Sequence, residues 1–202
     1  MAPSNPRHIH SSQQPHFQWS RDLEPILRVA SGSEVTLDLR DGANNQVRPD
    51  NVATALSTFD IGQADPAMGP IYVEDCEPGD VLKVEILELT PMRARLRLSV
   101  DKGGNGNRLL TSPHVLAPPD LVEAEEMASA GRYVALGVGP DPHEAAREAV
   151  RGLLSWLEAE KGLSRTEAYM LASVAASLAL AEVVDMPNYC VSCSIPLKTF
   201  EV

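Results

Sequence analysis

Several groups of side chains in this sequence have types and spacings that chemistry can use. Asp41-Gly-Ala-Asn44-Asn45-Gln46 sets a carboxylate and three carboxamides just after a strand-like segment. Such a set can bind a small polar substrate, or a hard cation through oxygen ligands. The same composition makes an Asx-rich turn whose side chains satisfy local backbone groups, and both readings stand at this point. Cys190-Val-Ser-Cys193 is a CxxC. On a strand, positions three apart face opposite sides, so two core thiols are expected rather than a shared metal. His8, His10 and His16 lie close together in a polar stretch; imidazoles can bind a metal, but mixed spacing in a mobile arm more often carries no function, and that is the expectation. His114 and His143 are expected in a loop and in the first turn of a helix. Arg93, Arg95 and Arg97 line one face of a strand, where they form either an anion site or a solvated face that discourages edge pairing; the solvated face is the expectation. Lys102-Gly-Gly-Asn-Gly-Asn107 is glycine-rich but lacks the Lys-Ser/Thr of a phosphate loop and reads as a turn.

The elements that would position these residues follow from periodicity. Glu34–Arg40 alternates, with Val35, Leu37 and Leu39 on one face. Val81–Leu89 is a second strand, expected to turn Leu82, Val84 and Ile86 inward. Glu77-Pro-Gly-Asp80 supplies the turn before it. Arg93–Val100 is a third strand, with Ala94, Leu96, Leu98 and Val100 opposite the arginines. Asp141-Pro-His-Glu144 is a helix start, and Gly162 stops that helix after an apolar face of Ala146, Ala149, Val150, Leu153, Trp156 and Leu157. Ser164-Arg-Thr-Glu167 opens a second helix expected to run through Leu178, within an apolar stretch of helical period from Tyr169 to Val184. A last strand runs from Tyr189 to Ile195. Strands, a helical hairpin and a final strand make an α+β, β-dominated fold rather than an alternating doubly wound sheet.

The chain has 202 residues, 44% of them hydrophobic, enough for a sizeable core. Three parts are expected: a polar N-terminal arm at 1–18, a β-rich part at 19–117, and an α+β part at 118–202 beginning at Pro118-Pro119. A net charge of −11 argues against nucleic acid as a partner, because phosphate binding needs a basic surface. No apolar run reaches membrane-spanning length and the first residues lack the apolar core of a secretory signal, so neither a membrane span nor a signal is expected. Three cysteines, an odd number, suit reduced thiols and a cytoplasmic location.

Phe17-Gln-Trp-Ser-Arg-Asp-Leu-Glu-Pro-Ile-Leu-Arg-Val followed by Ser31-Gly-Ser-Glu-Val resembles the opening of the acetamidase/formamidase family. Asp41-x-x-Asn-Asn-Gln46 is similar to that family's Asp-x-x-Asn-Gly-Gln, with Asn45 in place of the glycine. Gly69-Pro-Ile-Tyr-Val-Glu74 and Glu77-Pro-Gly-Asp-Val-Leu-Lys-Val-Glu-Ile-Leu resemble its central stretch. Gly131–Asp141, Glu167–Ala176 and Val184-Asp-Met-Pro-Asn188 resemble its C-terminal signature.

The resemblance implies a β-sandwich-like scaffold with added helices, here a C-terminal helical hairpin, and hydrolysis of a small linear amide to a carboxylate and ammonia. It also implies a divalent metal, zinc or calcium, and a homo-oligomer. Carried onto this chain, it makes Asp41, Gln46 and Glu74 the candidate catalytic residues, with Tyr72 and His16 behind them. One departure bears on activity. The family carries a Gly-Asp-x-His and Gly-Asp-Gly-Glu type segment between the strand ending at Leu89 and the one beginning after Thr90, and this chain has neither motif. Weakened or absent amidase activity is therefore expected. The alternative is a non-catalytic binding or oligomerisation module on the same scaffold.

Overall fold

In a computed structural model of the chain, the alternation around Glu34 becomes a strand, β3 (Ser33–Asp38), with Val35 and Leu37 buried and Glu34, Thr36 and Asp38 on the other side. The structure describes residues 7–10, 13–102, 112–118, 131–184 and 187–201. These fall into two units, Met1–Gly104 and Asn105–Val202, each with its own core.

In the first unit, β1 (Arg7–Ile9) pairs parallel to β3. β3 pairs antiparallel to β6 (Arg93–Asp101), and β6 to β5 (Val81–Thr90), giving the order β1-β3-β6-β5. A two-stranded parallel ribbon of β2 (Leu27–Val29) and β4 (Ile71–Val73) brings Val29 and Val73 into one core with Ile9, Val35, Leu37 and Leu98. Two sheets sharing one apolar layer are sandwich-like. A short helix, α1 (Val52–Thr58), lies between β3 and β4 in the chain.

Residues 7–9 do not belong to a polar arm. Ile9 is among the most buried side chains of the unit, and that burial draws the strand into the sheet. A second expectation changes as well. Leu82, Val84 and Ile86 do share the face of Val100, Leu98 and Leu96, but they are about half exposed or more, Ile86 to 65%. β5 is the edge strand, and the core formed over β3 and β6 does not include these side chains. β5 passes directly into β6, with Thr90 opposite Arg93 across a turn at Pro91 and Met92. The seam in the family pattern is thus closed as an ordinary hairpin.

The second unit is a four-stranded antiparallel sheet in the order β7-β8-β10-β9: His114–Ala117, Arg132–Gly139, Tyr189–Pro196 and Ser177–Glu182. β7, which the sequence groups with the part at 19–117, pairs with β8. Two helices, α2 (Pro142–Lys161) and α3 (Arg165–Ala175), pack on the sheet. Asp141 caps α2 by accepting from Glu144 N, and Gly162 ends it in the left-handed conformation. α3 opens on the expected capping box of Ser164 and Glu167. It does not run through Leu178: Ala176 is extended, and Ser177–Glu182 pairs with β10. The alanine-rich stretch satisfies its backbone on a sheet edge, and this pairing overrides its helical propensity.

Candidate functional site

The outward face of the first sheet is a ladder of opposite charges. β3 and β6 pair in a register that sets Glu34 beside Arg97 and Asp38 beside Arg93. Arg97 and Arg95 donate to the two oxygens of Glu34 at 2.7 and 3.1 Å, and they also face Glu85 and Glu88 of β5 at 3.6 and 3.5 Å. The hydrogen bond from Arg97 holds the Glu34 carboxyl below the ordinary carboxylate range. All three arginines thus face carboxylates, as a solvated outer face would have them, and none is poised for an external anion.

At the end of this ladder stand His8 of β1 and His10, the residue directly after that strand. With Ile9 buried, strand alternation turns the residues on either side of it outward. Parallel pairing sets His8 beside Thr36 and directs the strand toward Asp38. His8 Nε2 lies 2.9 Å and His10 Nδ1 3.5 Å from Asp38 Oδ2, and the imidazole centres are 4.0 Å apart. Arg93 Nε donates to the other oxygen, Oδ1, at 3.0 Å. Hydrogen bonding to His8 first, and then to Arg93, keeps the Asp38 carboxyl below its usual range. His10 N donates to Gln13 Oε1 at 3.0 Å, and Arg40 donates to Gln13 O and to Asn44 Oδ1. Sequence reading noted the histidines but missed Asp38, because their meeting depends on a pairing between segments some thirty residues apart. The His-x-His spacing around an apolar residue was the available signal.

The residues singled out by the family pattern do different work. Asp41 Oδ2 accepts from Asn45 N at 3.0 Å. Asn44 and Asn45 have φ of 50° and 61°, the left-handed region that asparagine tolerates better than most residues. Asn45 therefore keeps the backbone that a glycine would give. Gln46 clamps the loop with both ends of its carboxamide: Nε2 donates to Asp60 O at 3.0 Å, and Oε1 accepts from Asp60 N at 2.7 Å. Glu74 follows β4, with its carboxylate 3.9 Å from Arg28, whose guanidinium lies over the Tyr72 ring. Asp41 and Gln46 share a loop, while Glu74 pairs at the β2–β4 ribbon. His16 forms a backbone bridge with Ala67 and stands edge-on to Trp19.

In the second unit, Val150, Tyr169, Ala172, Ala176, Leu178 and Cys193 border a groove of about 270 Å³ with no charged side chain in its lining. Burial pushes the Cys193 thiol up to about 11, so it is no nucleophile at neutral pH. Cys190 and Cys193 are unbridged, and His114 lies in β7 rather than in a loop.

The profile of the Acetamidase/Formamidase family matches residues 4–114 and 94–202, two overlapping stretches that together take in almost the whole chain. The chain belongs to the acetamidase/formamidase family. An acetamidase of Mycolicibacterium smegmatis is 31% identical over 77 residues, 38% of this chain and 19% of that protein. A formamidase of Methylophilus methylotrophus is 34% identical over 74 residues, 37% of this chain and 18% of its own length. The aligned stretch thus spans about a fifth of these curated relatives. Among solved structures, an acetamidase from Bacillus halodurans superposes with a TM-score of 0.69 at 19% identity, covering 96% of this chain and 98% of the other. A predicted acetamidase/formamidase from Thermoanaerobacter tengcongensis does so with 0.63 at 18%, covering 94% and 95%. These likenesses establish that the α+β arrangement is the acetamidase fold.

Proposed function

We propose that this chain is a hydrolase of small linear amides, converting formamide or acetamide and water to the carboxylate and ammonia, with low turnover. Membership of the acetamidase/formamidase family across nearly the whole chain is the observation that carries the reading. Low turnover follows from what the reaction needs. An unactivated amide requires a strong nucleophile, stabilisation of the tetrahedral oxyanion and a proton for the departing ammonia. Asp41 and Gln46 are occupied in holding their own loop, Glu74 faces Arg28, and the family's acid and histidine motifs are absent from the sequence. On this reading, Asp41 and Gln46 position the loop that borders the substrate and Glu74 offers a carboxylate. The three free thiols suit a reducing compartment and support a cytoplasmic location. No helix among the described residues is long and apolar enough to cross a membrane.

The experiment is ammonia release by the purified chain from formamide and acetamide. Saturable release above the buffer control is expected, and release equal to that control would overturn the amidase reading. A second reading, a non-catalytic oligomerisation module, is favoured by one observation. Leu82, Val84, Ile86, Leu89 and Met92 leave an apolar stripe exposed on the β5 edge and its turn. On that reading sedimentation equilibrium gives an oligomer that Ile86→Glu dissociates, with no ammonia released; a monomer at all concentrations contradicts it.

A further inference from the structure

We propose that His8, His10 and Asp38 form a zinc site in which the two imidazoles and one carboxylate oxygen leave a fourth position open. The inference goes beyond the amidase reading and does not depend on it, since it rests on other residues and on metal uptake rather than turnover.

Four observations carry it. The first is placement. Buried Ile9 anchors β1, so His8 is held by the strand and His10 directly after its end, and β3 brings Asp38 to both from the neighbouring strand. The second is spacing. Nitrogen and oxygen ligands about 2.0–2.1 Å from a tetrahedral zinc lie about 3.3 Å from each other. The Asp38 oxygen stands 2.9 and 3.5 Å from the two imidazole nitrogens, and all three donor atoms lie within 4.8 Å of one another. Shifts of a few tenths of an ångström suffice for the carboxylate contacts.

The third is donor chemistry. Calcium takes six to eight oxygen ligands and magnesium an oxygen octahedron, whereas two imidazoles with one carboxylate suit zinc. This donor set therefore fits zinc and not calcium. The fourth is support around the ligands. Ligating carboxylates are themselves hydrogen-bonded, and Arg93 holds Asp38 Oδ1 and so leaves Oδ2 turned to the histidines. Gln13 fixes the backbone of His10 through His10 N, and the His10 side chain is 62% exposed, which gives an ion its way in. Three protein ligands with one open position is the pattern of zinc sites that bind water or a small ligand.

The competing explanation is that the histidines simply hydrogen-bond Asp38 and have no affinity for metal. The whole 202-residue chain, chelator-treated and titrated calorimetrically with zinc and then with calcium, separates the two, with cobalt substitution reporting the ligand set. The proposal expects one equivalent of zinc, no calcium uptake, and visible d–d bands of four-coordinate cobalt without thiolate charge transfer. His10→Ala and Asp38→Asn should each weaken zinc binding at least tenfold. Asp38→Asn also disturbs Arg93, so His10→Ala, checked for an unchanged melting temperature in chelator, is the deciding variant. Absence of zinc uptake, equal affinity for calcium, a thiolate band, or unchanged affinity in a folded His10→Ala chain would each overturn the proposal.

Discussion

At the scale of single residues, the second unit contains a histidine in unusual surroundings. His114 on β7 bonds through Nδ1 to the Tyr133 hydroxyl, while its Nε2 is buried beside Gly152 of α2 with no hydrogen-bond partner among the described residues. Burial lowers the pKa of this imidazole below its ordinary value. The unfolded chain, with histidine near ~6.5, then binds the proton more readily than the folded one. The contribution to stability is complete above about pH 6.5 and is lost as pH falls below it toward the folded value. Urea melts at pH 5 and 7.5 should show a larger acid loss for the native sequence than for His114→Gln; equal losses would contradict this. Burial protects Cys193 in a similar way. Iodoacetamide at pH 8 should leave it unlabelled in the folded chain and label it after denaturation, as mass spectrometry would show. Little of this residue-level detail was legible in the sequence. The Asx-turn reading of Asp41–Gln46 anticipated the local hydrogen bonds. The clamp from Gln46 to Asp60 and the meeting of Asp38 with the histidines depend on chain folding that no local pattern encodes.

Secondary-structure elements were more legible, and the reasons are physical. β3, β6, α2 and β10 carry strong alternation or cap chemistry, and they form within a residue or two of where those signals put them. Asp141→Ala removes a cap bond and should cost about 1 kcal/mol in a denaturant melt. Leu153, fully buried on α2, should cost about 2–5 kcal/mol as Leu153→Ala. Gly137 of β8 shows a constraint that periodicity could not reveal. A Cβ there would sit 1.9 Å from Ala145 O and 2.7 Å from Ala149 N, so the α2 backbone rests directly on the strand. Gly137→Ala should destabilise by about 3 kcal/mol or more, the upper end of overpacking costs. A melt within experimental error of the native chain would show that the helix can move away freely. β1, β2 and β4 have three residues each, too short for a pattern to emerge. β9 was hidden by alanines that also suit a helix, and its strand character comes from β10 beside it.

At the scale of the whole molecule, each stretch matched by the family profile contains most of one structural unit, 4–114 for the first and 94–202 for the second. The sandwich-like first unit and the helix-covered sheet of the second are therefore both part of the family fold. That fold was legible because several motifs occur in order along the chain. The inward assignment of Leu82, Val84 and Ile86 failed because alternation reports which side chains share a face, not whether another layer covers it. The amidase chemistry proposed for this fold is tested by the initial rate of ammonia release against formamide concentration. A weakened amidase gives a saturating curve with kcat/KM below the ordinary enzyme range, which begins at about 10⁴ M⁻¹s⁻¹. A rate equal to the protein-free control would contradict the hydrolase reading, and a value within that range would contradict the weakened site.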